Sequence, residues 1–412
     1  MPKVFEGFTV VEIADRRNQM IGKVMSDCGA RVIQIEPVAG SPGRWIGPFV
    51  NDQEDPDKCL DYWWYNTGKE SICIDITRKP GQDLIRRLVA KADVFVESTK
   101  PRTMEQYGLD HAALSSTNQG LIYASLTDFG QDGPWVDWVI NDPGHLALGG
   151  QMGLSGYTNP RKPPIGGQGH QAYNMASIMM LHTITVSLYQ RMTSAVGQYL
   201  DVSIHDCCAV CTGHDVPGWL WYNEAVIRQT GQHASHGPRP RQPLPTADGR
   251  DLHVIGPVNG HVWVNLVKWM NEFGVAEELA DERWLDDYYR ADQLRNSTAV
   301  EEGLIRLFSH VPSREAFIRA QAIGLAWAVV QAPEENLEYD HYRQRNFWAS
   351  VEQPEIGTDV LYPSRLIRCD EIGMQPAGRA PHLGEHTRTI LTGDLDLDVA
   401  QVDVLTRTGV IR

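Results

Sequence analysis

Five short apolar runs in the first 130 residues constrain this chain more than any other feature. They are Thr9-Val10-Val11-Glu12-Ile13, Arg31-Val32-Ile33-Gln34-Ile35-Glu36, Ser71-Ile72-Cys73-Ile74-Asp75-Ile76, Asp93-Val94-Phe95-Val96-Glu97 and Leu121-Ile122-Tyr123-Ala124-Ser125-Leu126. Each has the length and the β-branched content of a buried strand. A helical pattern from Asn18 to Cys28, closed by Gly29, separates the first two, and an amphipathic pattern from Pro80 to Ala92 separates the third and fourth. Alternating strands and helices predict a parallel sheet in a doubly wound α/β domain. No G-x-G-x-x-G follows the first run, so a dinucleotide site would lack its phosphate-binding turn.

The second informative stretch runs from Pro163 to Ile204. A glycine-rich turn, Gly166 to Gly169, leads into a long helical pattern in which Ala172, Met175, Ala176, Met179, Thr183, Val186 and Tyr189 recur at three- and four-residue steps. Gly197-Gln198 ends the helix, and Tyr199 to Ile204 reads as a sixth strand. A turn that feeds a helix start presents free backbone N–H groups, a suitable seat for a carboxylate or thioester. The same pattern also fits a plain buried helix.

Beyond the helix, Arg228 to Pro245 is rich in Gly, His, Pro and Arg and reads as a linker or extended loop. Helical patterns at His261–Phe273 and Ser297–His310 predict a smaller α+β domain, and Val360-Leu361-Tyr362-Pro363 reads as a strand returning to the first domain. The expected division is 1–225 for the first part of the large domain, 226–330 for the linker and small domain, and 331–412 for the return. Aromatic clusters at Tyr62-Trp63-Trp64-Tyr65 and Trp219-Leu220-Trp221-Tyr222 fit either core packing or an apolar lining for a bulky substrate.

The 412 residues carry 52 acidic against 37 basic side chains, a net charge of -15. That balance argues against nonspecific binding to nucleic acid or an anionic membrane. No apolar run reaches membrane-spanning length and the first residues carry no signal-peptide pattern, so a cytoplasmic protein is expected. The 7 cysteines are an odd number spread over a long chain, which fits free thiols. His205-Asp206-Cys207-Cys208-Ala209-Val210-Cys211-Thr212-Gly213-His214 offers metal-ligand types at no standard spacing, and no metal is expected there.

Several separated stretches resemble the class III CoA-transferases, which include formyl-CoA and L-carnitine CoA-transferases. They are Gly29-Ala30-Arg31-Val32-Ile33-Gln34-Ile35-Glu36-Pro37 with Gly40 and Arg44, Asn66-Thr67-Gly68-Lys69-Glu70-Ser71-Ile72-Cys73-Ile74-Asp75-Ile76, and Ala92-Asp93-Val94-Phe95-Val96-Glu97-Ser98-Thr99-Lys100-Pro101. Phe129-Gly130-Gln131-Asp132-Gly133-Pro134, Gly197-Gln198 with Asp201-Val202-Ser203-Ile204, Thr246-Ala247-Asp248-Gly249 and Leu383-Gly384-Glu385-His386-Thr387 extend the match along nearly the whole chain. Their common order and spacing carry the resemblance. It implies a Rossmann-like large domain built from both chain ends, a smaller domain, and two subunits interlocked like links. It also implies CoA contacts at Ile74, Asp75 and Ile76 and at Glu97, Ser98, Thr99 and Lys100, with Lys100 facing a CoA phosphate. A CoA thioester would be the substrate, with no permanently bound cofactor.

The family's nucleophile is an aspartate at the start of the long central helix. Counted back from Gly197-Gln198, that position falls on Tyr173, and Gln171, Ala172 and Asn174 are not carboxylates either. The family's small A-G-P turn after the first strand is replaced by Arg16-Arg17-Asn18-Gln19-Met20. Asp142 stands where related racemases carry a His-Asp pair, but Asn141 precedes it. Asp142 is therefore read as a turn or cap carboxylate, with proton transfer as its alternative. The resemblance implies a subunit without the nucleophile, paired with a catalytic paralogue. Such a complex would move CoA from an acyl-CoA such as succinyl-CoA to a carboxylic acid such as benzylsuccinate, as a two-subunit family member of anaerobic toluene breakdown does. The alternatives are a single-chain transferase with an unrecognised carboxylate, a CoA-thioester isomerase or lyase using Asp142, His145 or His170, and a non-catalytic CoA-binding protein.

Overall fold

The computed structural model describes residues 3–237, 239–256, 259–364 and 373–412. Six strands form the central sheet: β1 (Thr9–Ile13), β2 (Arg31–Glu36), β3 (Glu70–Cys73), β4 (Val94–Glu97), β5 (Ile122–Thr127) and β6 (Gln198–Ser203). Their order is β3-β2-β1-β4-β5-β6, and every neighbouring pair is parallel. Every residue of β4 and β5 is buried. Parallel strands covered on both faces need continuous apolar runs, which is why they are legible in the sequence. The strand order reverses between β1 and β4. Such a switch point is the usual ligand position in an open parallel sheet.

The chain forms two compact units. One comprises Met1–His145, Gln168–Val210 and Asp340–Arg412, and the other Leu146–Gly167 and Cys211–Tyr339. The first is the Rossmann-like large domain, built from both chain ends: Ile74 bridges to Ile411, and Arg31 forms ion pairs with Glu70 and Asp394. In the second unit, helices such as Gly260–Glu272 and Ala299–Phe308 bury Trp263, Trp269, Phe308 and Trp327. Leu244–Pro245, Asp251–His253 and Ala328–Val329 form a three-stranded antiparallel sheet there. This is the smaller α+β domain.

Two expectations need correction. The stretch read as a linker contains a hairpin, because Ile227–Thr230 pairs antiparallel with Gln232–Ser235. Gly231, at φ 69°, supplies the left-handed turn residue between them. The central helix, Gln171–Ser194, buries only part of the stripe read from its spacing. Its buried side chains are Ala172, Tyr173, Ala176, Ser177, Met180, Ile184, Ser187 and Leu188, while Met179, Val186 and Tyr189 are exposed. The helix is apolar on more than one face, so periodicity could not say which face meets the sheet. The first aromatic cluster is largely core, with Tyr62, Trp63 and Tyr65 buried, whereas Trp219, Leu220, Trp221 and Tyr222 are exposed.

Candidate functional site

The start of the central helix lies in the same unit as β1 and β4. His170, left-handed at φ 55°, turns the chain into the helix without a side-chain cap. The backbone N–H of Tyr173 donates to Asp142 Oδ2 at 3.0 Å. Asp142 is buried and caps the first turn from outside the helix. Tyr173 is buried as well, and its ring stacks near the His170 ring. Burial pushes its phenol above the usual pKa, Asp128 and Asp142 push the same way, and Arg17 and Arg16 only partly oppose them. A phenol held protonated is no nucleophile at neutral pH.

The arginines that follow β1 occupy the rest of this end. Arg16 Nη2 lies 3.2 Å from both ring nitrogens of His170. Arg17 binds Asp15 at 2.8 Å and stands 3.6 Å from Asp128. Burial opposes the charge on Arg17, but its bonds to Asp15 and the nearby Asp128 outweigh burial and raise its pKa. Asp128 also meets His145 Nε2 at 3.3 Å, with His145 fully buried and its Nδ1 lacking a hydrogen-bond partner among the described residues. Asp61 stands 3.5 Å from His170 Nε2. Asp15, Asp61, Asp128 and Asp142 thus each already face a cation, an imidazole or a backbone donor. The link from Arg17 through Asp128 to His145 was not read from the sequence. Its members are far apart in the chain, and no spacing joins them.

The residues expected to contact CoA divide into two places. Glu97, Thr99 and Lys100 line a cavity of about 400 Å³ with Arg102, His111 and Tyr199. Ser98 is buried, and its hydroxyl has no hydrogen-bond partner among the described residues. The Glu97 carboxylate accepts bonds from the Thr99 N–H at 2.7 Å and its hydroxyl at 2.6 Å, and from Ser125. Burial raises its pKa, and those bonds offset the rise in part. Ile74, Asp75 and Ile76 do not line this cavity. They follow β3, three strand positions from β4, which puts them about 14 Å away at ordinary strand spacing. Asp75 N–H donates to Val410 O at 2.8 Å, so this segment also holds the C-terminus.

The His205–His214 run spans both units. His205 packs on Phe129 and Trp135 in the first unit, whereas Cys211 and His214 belong to the second. Trp135 and Trp138 stack at 5.1 Å and both are exposed.

Comparison with known proteins decides the family. Residues 6–387 match the model of CoA-transferase family III. The chain belongs to that family. Among curated family III relatives, subunit BbsE of the succinyl-CoA:(R)-benzylsuccinate CoA-transferase of Thauera aromatica is 28% identical over 418 residues, covering 100% of this chain and 99% of that protein. The succinate–glutarate CoA-transferase of Agrobacterium fabrum is 32% identical over 254 residues, 61% of this chain and 62% of its own. A CaiB/BaiF family protein from Brucella suis has the same fold, with a TM-score of 0.80 at 24% identity over 96% of this chain and 100% of that one. Family III membership makes CoA transfer, with a CoA thioester as substrate, the chemistry of this chain's class. No helix among the described residues is long and apolar enough to cross a membrane.

Proposed function

We propose that this chain is the subunit of a heteromeric CoA-transferase that lacks the nucleophile, and that a paralogue carrying the aspartate completes the enzyme. The observation that carries this reading is the first turn of the central helix. Gln171, Ala172, Tyr173 and Asn174 offer no carboxylate. Asp142, the acid nearest by hydrogen bonding, accepts the Tyr173 N–H and caps the helix. The covalent cycle needs a free carboxylate that attacks the thioester and releases CoA thiolate, and a phenol of raised pKa cannot replace it.

Full-length similarity to a protein named as a CoA-transferase subunit supports the heteromer. It also favours succinyl-CoA as donor and an aromatic dicarboxylic acid such as benzylsuccinate as acceptor. The expected assembly is the interlocked pair of the family. Glu97, Ser98, Thr99 and Lys100 are assigned to CoA, with Lys100 as a point charge for phosphate, and Ile74, Asp75 and Ile76 to a more distant part of the same ligand. No metal or permanently bound cofactor takes part in the transfer.

The test compares the purified full-length chain with its complex. The chain alone should transfer no CoA from succinyl-CoA to benzylsuccinate, and the complex should. Turnover by the chain alone, with an acyl or CoA adduct trapped on one of its own carboxylates, would reject the reading in favour of a single-chain transferase.

A further inference from the structure

Two histidines and an aspartate of the second unit converge on one point. Asp215 opens the helix Asp215–Tyr222, His214 immediately precedes it, and His233 lies on the strand Gln232–Ser235. His214 Nδ1 stands 3.7 Å and His233 Nε2 3.5 Å from the same oxygen, Asp215 Oδ1. One donor atom from each of the three residues lies within 4.8 Å of the others. The two nitrogen–oxygen distances are long for hydrogen bonds. They are close to the separation of two ligands on one ion: donors about 2.0–2.1 Å from a tetrahedral centre sit roughly 3.4 Å apart.

Asp215 decides the argument. It is only 9% exposed, and neither carboxylate oxygen accepts a hydrogen bond from the described residues. A buried carboxylate without donors costs several kcal/mol. The two imidazoles are poor compensation by themselves, because their side chains are 88% and 62% exposed and any charge on them is screened by water. A divalent cation shared by all three groups would neutralise the carboxylate at close range.

We propose that His214, Asp215 and His233 bind a divalent first-row transition metal. Two imidazoles and one carboxylate, with no thiolate, suit Zn²⁺. The cavity they border, about 530 Å³ and also lined by Trp221, Tyr222 and His236, leaves room for water at the remaining coordination position. The ion would tie the helix Asp215–Tyr222 to the hairpin strand Gln232–Ser235, fixing a helix whose Trp219, Leu220, Trp221 and Tyr222 face outward. The site does not depend on the transferase reading.

The experiment uses the full-length chain together with any subunit that co-purifies. The protein is stripped with a chelator, desalted and reloaded with Zn²⁺ or Co²⁺. Zinc content is read by mass spectrometry and Co²⁺ geometry by its visible d–d absorption. The wild type should retain about one zinc per chain, and Asp215→Asn and His233→Ala should each bind it more than about tenfold more weakly. His214→Ala, at an exposed side chain, carries the test if Asp215→Asn does not fold. A wild type that retains no zinc after desalting, or variants that bind it as tightly as the wild type, would overturn the assignment.

Discussion

On the reading proposed above, the role of the whole subunit turns on one side chain, Tyr173. Tyr173→Asp would place a carboxylate in the first turn of the central helix, where the helix dipole favours negative charge. Arg16 and Arg17 would remain beside it, and an ion pair would hold the new carboxylate in its charged, bonded form. Little or no transferase activity is therefore expected from Tyr173→Asp in the isolated chain, measured as succinyl-CoA-dependent CoA transfer. A rate comparable to that of the complex would mean that the arginines do not block the site. A second residue carries structural weight. Arg44 and Glu36 are fully buried and paired at 2.7 Å, and the guanidinium lies over the Tyr62 ring. Burial alone would raise the pKa of Glu36, but Arg44, Ser71 and the Ser41 N–H hold it below the usual range. Arg44→Ala should cost about 3–5 kcal/mol in urea denaturation, because it strands a buried carboxylate. Arg44 was legible only through its place in the family spacing, since nothing in composition marks a cation as buried.

At the scale of elements, the strands were legible and the faces of the central helix were not. Val94, Phe95 and Val96 are apolar because both sides of β4 are covered, and a continuous run survives any choice of register. The helix offered two apolar faces, and the one chosen from spacing includes Val186 and Tyr189, which are exposed. The hairpin at 227–235 was hidden because its strands are short and polar, leaving little alternation to read. Of the candidate site, the lack of an acidic side chain from Gln171 to Asn174 is plain in the sequence, whereas the Asp142 cap and the Arg17–Asp128–His145 link depend on tertiary contacts. Two tests belong here. A Cβ at Gly197 would lie 2.0 Å from Leu121 O, between the helix and β6. Gly197→Ala should therefore destabilise the fold by about 1–3 kcal/mol or more, read as a lower denaturation midpoint. The second concerns pH. Burial would raise Glu385, but Arg379 and the His382 N–H hold its carboxyl at about 2, below its usual 4.5. A depressed carboxylate stabilises the folded state above its unfolded pKa and loses that contribution as pH falls from about 4.5 towards 2. Arg379→Ala should remove most of that contribution, on the order of 1 kcal/mol after solvent screening, and flatten stability against pH in that window.

For the whole molecule the question is what covers its apolar surface. Met179, Val186, Tyr189 and Met192 on the central helix are exposed, the last at 79%, and Trp219, Leu220, Trp221 and Tyr222 are exposed in the second unit. Clusters of exposed apolar side chains fit an association surface. The interlocked assembly proposed above would bury such faces, and folding would then be coupled to association. No stable folded monomer is expected at micromolar concentration, and light scattering that finds one would count against interlocking. Catalysis gives the sharper test. If this chain contributes no nucleophile, each complex depends on the partner's aspartate alone. The partner's Asp→Ala change should then abolish CoA transfer by the reconstituted complex, leaving no fractional activity. A residual rate near half that of the wild type would require a second working site, and the only place for it would be this chain. The alignment that sets Tyr173 at the nucleophile position would then be wrong, and one of Asp61, Asp128 or Asp142 would have to leave its present partner to attack the thioester.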